Sequence, residues 1–274
     1  MDYPAEKITE LEKKAQKIRC SIVTMLGEAC SGHPGGSLSS TDIITALYFS
    51  VLRHDPKNPS WPERDRFHLS KGHCCPTLYA TLAECGYFPV SKLSQLRKLG
   101  SMLQGHPDRR TPGIEVSSGS LGQGLSIAVG MALAGRIDKK GYRVYCLMGD
   151  GEQQEGNIWE AAMAAAHYKL DSLCGIVDCN GLQIDGKVCD VMNVEPVAPK
   201  YQAFGWHAIE VDGHNMGQLL AAFDEAKTVK GKPTVIVAHT IKGKGVSFME
   251  NVCNFHGVAP TKEEVVKALK ELGA

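Results

Sequence analysis

Two short segments carry the residues best suited to hold an anion through a cation. The apolar run RVYCLM (143–148) passes straight into Gly149-Asp150-Gly151, and LCGIVD (173–178) runs on into Cys179-Asn180-Gly181. Thirty positions separate Asp150 from Asn180, the length of one strand–helix–strand unit. If consecutive parallel strands lie side by side, the carboxylate and the amide oxygen project from the same sheet edge, where open parallel sheets bind ligands. Two hard oxygen donors suit a magnesium ion carrying a diphosphate. Glycines beside them let main-chain N–H groups approach the phosphate oxygens. Taken alone, GDG reads as a turn and Asn180-Gly181 as a hairpin signal. The spaced pair is what favours the cation.

Histidines form the second constellation. His33 in SGHPGG, His73 in SKGH, His106 in GHPD and His256 in FHG each sit beside glycine or proline. A single loop histidine is usually a solvated surface residue. A metal cluster is disfavoured, because the four are scattered and show no HxH or HxxxH spacing. Imidazole titrates near neutrality, at about 6.5 when unperturbed, so it can take and return a proton there. The other six histidines (His54, His68, His167, His207, His214, His239) read as ordinary surface or packing residues.

These residues need a scaffold, and the hydrophobic periodicity describes one. Leu11, Ala15, Ile18, Ile22 and Leu26 recur at helical spacing, predicting a long N-terminal helix. A glycine-rich break at SGHPGGSLSS precedes a helix over 41–52, with Ser40 or Thr41 as its N-cap. A short strand over 66–69 enters the SKGH turn. Helices are expected over 75–85, 91–98 and the Ala- and Gly-rich stretch 121–137. Strands at 143–148, 173–178, 206–211 and 233–239 then alternate with helices at 155–170 and 215–229, and a helical tail covers 261–272. Short apolar strands alternating with helices indicate an α/β fold, a parallel sheet with helices on both faces. No composition shift or repeat divides the chain, so 1–274 reads as a single domain.

Composition bounds the rest. The 274 residues are 43% hydrophobic and 22% charged, an ordinary globular balance. Thirty basic residues offset thirty acidic ones, which argues against nucleic-acid binding through a bulk basic surface. No apolar run approaches a membrane span. The ten cysteines contain no CxxC pair, and Cys146, Cys174 and Cys179 lie in strand-like runs. With no signal peptide evident, a reduced, cytoplasmic setting is expected. A nicotinamide-binding reading fails: GxGxxG is not completed at Gly122-Gln123-Gly124, because position 127 is Ile.

The ordered motifs SGHPGGSLS, FHLSKGH, GHPDRRTPGIEVSSGSLGQGL, GDGEQQEGNIWEA, DCNGLQIDG, TIKGKG and FHG span about 31–258. Together they resemble the N-terminal, diphosphate-binding half of transketolase. The resemblance implies thiamine diphosphate, held through a divalent cation (Mg2+, or Ca2+ or Mn2+). Asp150 and Asn180 would bind that cation through side chains and Leu182 through its carbonyl. Gly149, Gly151 and Gly119 would bring backbone to the cofactor, and Lys242 a positive charge to the diphosphate. Leu121 and Leu182, which alone would read as core residues, would flank the thiazolium ring. It further implies that His33 and His256 move the proton of the substrate C3 hydroxyl. His106 would bond the hydroxyl of the two-carbon fragment, and His73 would help position the cofactor. The cofactor itself supplies the carbanion. Glu155 corresponds to a dimer-contact position, whereas Glu152 has no comparable assignment.

Transketolases of ordinary length carry further domains, one of which supplies the glutamate that activates the aminopyrimidine. The resemblance therefore implies the N-terminal subunit of a split enzyme. A C-terminal transketolase subunit would bring the pyrimidine-binding domain and the catalytic glutamate, in an α2β2 heterotetramer. Sugar phosphates are the implied substrates, with ketoses of the pentose phosphate pathway such as xylulose 5-phosphate as the default. Split relatives acting on sulfonated or branched sugars would share every motif quoted. A non-catalytic cofactor-binding subunit is the competing reading, though binding alone does not require His33 or His256.

Overall fold

The structure, a computed structural model, describes residues 3–274; residues 1 and 2 of the expected domain lie outside it. Its strands are β1 (Arg66–Leu69), β2 (Val144–Gly149), β3 (Leu173–Cys179), β4 (Leu182–Gln183), β5 (Gly186–Lys187), β6 (His207–Asp212) and β7 (Thr234–His239). Five of them form one parallel sheet in the order β1-β2-β3-β7-β6, while β4 and β5 pair as a small antiparallel hairpin. The helices are α1 (Ala5–Ala29), α2 (Pro34–Ser39), α3 (Thr41–Ala46), α4 (Cys75–Cys85), α5 (Gln123–Ile137), α6 (Gly156–His167), α7 (Val188–Met192), α8 (Val197–Ala203), α9 (Met216–Thr228) and α10 (Lys262–Glu271). No helix among the described residues is long and apolar enough to cross a membrane.

The central strands are apolar on both faces because both faces are covered. Tyr145, Leu147, Ile176 and Ile236 point into a core shared with α1, α3, α4 and α9. Their neighbours Cys146, Met148, Val177, Val235 and Val237 point the other way, against α5, α6 and α8. The period of two thus sorts one continuous apolar run into two cores. Helix α1 buries the expected stripe, Leu11, Ala15, Ile18, Ile22 and Leu26, completely. The small residues of α5 let it sit close to the sheet: a Cβ on Gly124 would fall 2.3 Å from the Ser70 Cβ.

Several local expectations change. The glycine-rich stretch read as a break contains α2, which Pro34 starts and whose residues are all buried. The helix expected over 41–52 is α-helical only to Ala46, then widens into a π turn over Leu47–Val51. Ser40 holds the N-cap position, one of the two expected, but no side chain caps the helix, because the Ser40 and Thr41 hydroxyls donate back to the Gly36 and Ser37 carbonyls. The helix expected over 91–98 is a 3-10 helix and shorter, Val90–Gln95. The β4–β5 hairpin, α7 and α8 have no counterpart in the periodicity, being too short to show one.

Candidate active site

Strands β2 and β3 are parallel neighbours, with Gly149 opposite Asp178 in register. Their ends therefore carry Asp150 and Asn180 to one place, and both line a cavity of about 320 Å³. Asp150 is 3% exposed. Its carboxylate accepts from the Gly151 N–H at 2.8 Å and the Gly181 N–H at 2.5 Å. Burial and the nearby Asp178 charge push Asp150 up to about 6. A cation placed against it would reverse that shift. Asn180 closes a turn by accepting from the Leu182 N–H at 3.1 Å. Gly181 holds a φ of 76°, which suits glycine. Carboxylate, amide oxygen and main-chain carbonyl make a hard donor set that fits a divalent cation of the magnesium or calcium kind.

Lys242, from the loop after β7, reaches the same cavity and is 2% exposed. Its ammonium donates to the Leu182 carbonyl at 3.0 Å and lies 2.8 Å from His256 Nδ1. With Lys242 charged, His256 Nδ1 is an acceptor and its Nε2 carries the proton. Gly119, Gly149, Gly151, Leu182 and the 37%-exposed Leu121 line the cavity as well.

The histidines converge although 223 positions separate the first from the last. The His33 ring lies 5.1 Å from His73, 5.6 Å from His256 and 6.5 Å from His106, and His73 stacks on His256 at 5.1 Å. His33, His73 and His256 line the cavity. His106 is exposed at its rim, packed against Gly119. Burial, then the charges of Arg97, His106 and Lys242, lower His33 to about 4. Burial and Lys242 lower His256 to about 3, and burial and Lys71 hold His73 well below its usual value. These rings are neutral at pH 7. His33 Nδ1 is buried without a hydrogen-bond partner.

Three polar residues at the base escaped sequence reasoning. Lys71 and Asp178 form an ion pair with side chains 2% and 0% exposed. Lys71 also donates to the Gly36 carbonyl at 3.1 Å, and Ser39 donates to Asp178 at 2.6 Å, so the pair ties down the segment carrying His33. Glu152 is 3% exposed and accepts from the Ser70 hydroxyl and the Gly122 and Gly149 N–H groups. Lys71 stands inside FHLSKGH and Asp178 at a strand end, which was the available signal. His214, read as an ordinary residue, bonds Asp42 through Nδ1 at 2.7 Å and accepts from the Ile241 N–H at 2.8 Å, next to Lys242.

A parallel sheet whose strand ends pair a carboxylate with an amide beside glycine backbone, under converging histidines, defines the diphosphate-binding domain of a thiamine diphosphate enzyme. The family model "Transketolase, thiamine diphosphate binding domain" matches residues 11–274, and the chain belongs to that family. It is 47% identical to the 6-deoxy-6-sulfo-D-fructose transketolase subunit SqwG of Clostridium sp. (strain MSTE9), over 98% of both chains. It is 44% identical to an apulose-4-phosphate transketolase subunit of Phocaeicola vulgatus, covering 97% of this chain and 95% of that one. The transketolase structure from Campylobacter jejuni superposes with a TM-score of 0.92 at 35% identity, over 97% of this chain but only 43% of that one.

Proposed function

We propose that this chain is the thiamine diphosphate-holding subunit of a two-subunit transketolase, one that moves a ketol unit from a ketose donor to an aldose acceptor. The observation that carries the reading is the convergence of His33, His73 and His256 on the cavity that Asp150 and Asn180 line. Asp150, Asn180 and the Leu182 carbonyl would hold a divalent cation, Mg2+, Ca2+ or Mn2+, whose hardness suits these oxygen donors. Gly149, Gly151 and Gly119 would bring backbone to the cofactor, and Lys242 its charge to the diphosphate. Leu121 and Leu182 would flank the ring. When bound, thiamine diphosphate supplies the carbanion that such chemistry requires.

The residues of this chain would then divide the proton work. His33, neutral at pH 7, takes the proton from the substrate hydroxyl. His256, held by Lys242 with its proton on Nε2, donates toward the substrate oxygen. His106 bonds a hydroxyl at the rim, and His73 positions the cofactor. This assignment separates two rings for which the motif resemblance implies a shared role.

A partner subunit would supply the pyrimidine-binding domain and its glutamate, with two copies of each chain in the assembly. Relatives named as subunits and matched over 98% and 95% of their length support this reading. So do Leu121 and Ile184, which line the cavity yet are 37% and 67% exposed. The names of those relatives also favour a modified ketose, sulfonated or branched, over the ordinary pentose phosphates. All ten cysteines are unpaired, in keeping with a reduced cytoplasmic setting. The test is to reconstitute the chain with a C-terminal transketolase subunit. Ketol transfer is then assayed from 6-deoxy-6-sulfofructose, apulose 4-phosphate and xylulose 5-phosphate. Turnover only with both chains is expected, and His256→Ala should abolish it while leaving cofactor binding intact. Full turnover by the isolated chain refutes the split assembly. A reconstituted pair inert toward all three donors refutes the substrate reading.

A further inference from the structure

Glu152 belongs to no motif role described above, yet three pieces of the cavity meet on it. Its side chain is buried in the turn Gly151–Gln154. One carboxylate oxygen accepts from the Ser70 hydroxyl, at the end of β1, and from the Gly122 N–H at 2.9 Å. The other accepts from the Gly149 N–H at 2.9 Å. Each donor adjoins a residue lining the cavity. Ser70 precedes Lys71, Gly122 follows Leu121, and Gly149 precedes Asp150. The loop before α5 has little freedom to adjust by itself. Gly122 takes a φ of 84°, and a Cβ there would come 2.5 Å from the Glu155 Cβ. The carboxylate is thus the common acceptor for three separate stretches of backbone and side chain.

We infer that Glu152 is a positioning residue that sets the distance between Leu121, on the ring side of the cavity, and Asp150, on the cation side. The inference rests on the thiamine diphosphate reading above. A carboxylate does this because it offers lone pairs on both oxygens. A glutamine of the same shape presents two hydrogens in place of one oxygen's lone pairs. The N–H of either Gly122 or Gly149 would then face a donor. Outer residues that orient ligand-holding groups typically change affinity by roughly 10- to 100-fold when replaced.

The test uses the full chain and the variants Glu152→Gln and Ser70→Ala, each confirmed folded by thermal melting. Thiamine diphosphate with Mg2+ is titrated calorimetrically into each chain reconstituted with the C-terminal subunit, and amide exchange is followed without ligand in peptides covering 119–125 and 147–153. Glu152→Gln is expected to weaken binding by roughly 10- to 100-fold. It should also speed exchange in those two peptides while the rest of the sheet stays protected. A merely structural role would lower the melting temperature without changing affinity in the folded protein. Ser70→Ala, which removes one of the three bonds, should weaken binding severalfold. Wild-type affinity in a folded Glu152→Gln variant overturns the inference, and so does wild-type affinity in Ser70→Ala if the first variant does not fold. A wild-type chain that takes up no thiamine diphosphate even when reconstituted with the C-terminal subunit refutes the function proposed above. The ligand-free exchange then decides whether Glu152 holds the two loops.

Discussion

Replacing Lys71 with methionine tests the base of the site. The side chain keeps its unbranched apolar stem, one atom shorter, and loses its charge. Lys71 and Asp178 are buried together, with side chains 2% and 0% exposed. Burial pushes Asp178 up, but the Lys71 charge together with the hydrogen bonds from Lys71, Ser39 and Thr240 outweighs this and holds it below the usual carboxylate range. Removing one partner of a buried pair leaves an uncompensated charge and costs about 3–5 kcal/mol. Asp178 keeps its bonds from Ser39 and Thr240, so the lower half of that range is the better expectation. Without Lys71, burial dominates and the folded-state pKa of Asp178 rises above its unfolded value. Such an acid destabilises the fold at neutral pH and is relieved as pH falls through the raised value. Urea unfolding of Lys71→Met should therefore show a deficit of about 3 kcal/mol at pH 7.5 that narrows, relative to wild type, toward pH 5. The double variant Lys71→Met/Asp178→Asn should recover most of the loss, since both charges are then gone. A deficit below about 1 kcal/mol, of surface-pair size, would refute the reasoning. So would a double variant no better than the single one.

Two further outcomes follow from the same geometry. His214→Leu strands the Ile241 N–H and loosens the loop bearing Lys242, at about 1–3 kcal/mol. His214→Gln can both donate to Asp42 and accept from Ile241, so it should regain most of that stability in thermal or urea unfolding; equal losses in the two variants would argue against the latch. His33 and His256 have folded-state values of about 4 and 3, below the usual 6.5. Their contribution is present above 6.5 and lost as pH falls from there toward 4, so wild-type unfolding free energy should decline over that window. Nuclear magnetic resonance titration of the two rings checks it, and midpoints near 6.5 in the free chain would contradict the burial argument.

Much of the architecture was legible because periodicity is a local property. The runs at 143–148 and 173–178 announced β2 and β3, and the stripe from Leu11 to Leu26 announced α1. What periodicity missed was short or set by contacts. The helix α2 hides in a glycine-rich stretch because Lys71, Asp178 and Cys74, distant in sequence, pack against it. The residues from Leu182 to Ala203 form elements too brief to show a repeat.

Read by itself, the chain specified its chemical parts: an aspartate and an asparagine one strand–helix–strand unit apart, glycines beside them, and histidines in four scattered loops. That is because residue type and strand periodicity are written locally. Which of those parts meet was decided by the sheet order β1-β2-β3-β7-β6. It brings the ends of β1, β2, β3 and β7 to one edge, and with them Lys71, Asp150, Asn180 and Lys242. The neutral state of the histidines, the Lys71–Asp178 pair and the three-way acceptor at Glu152 exist only there. Burial and proximity across the chain, absent from any local window, create them.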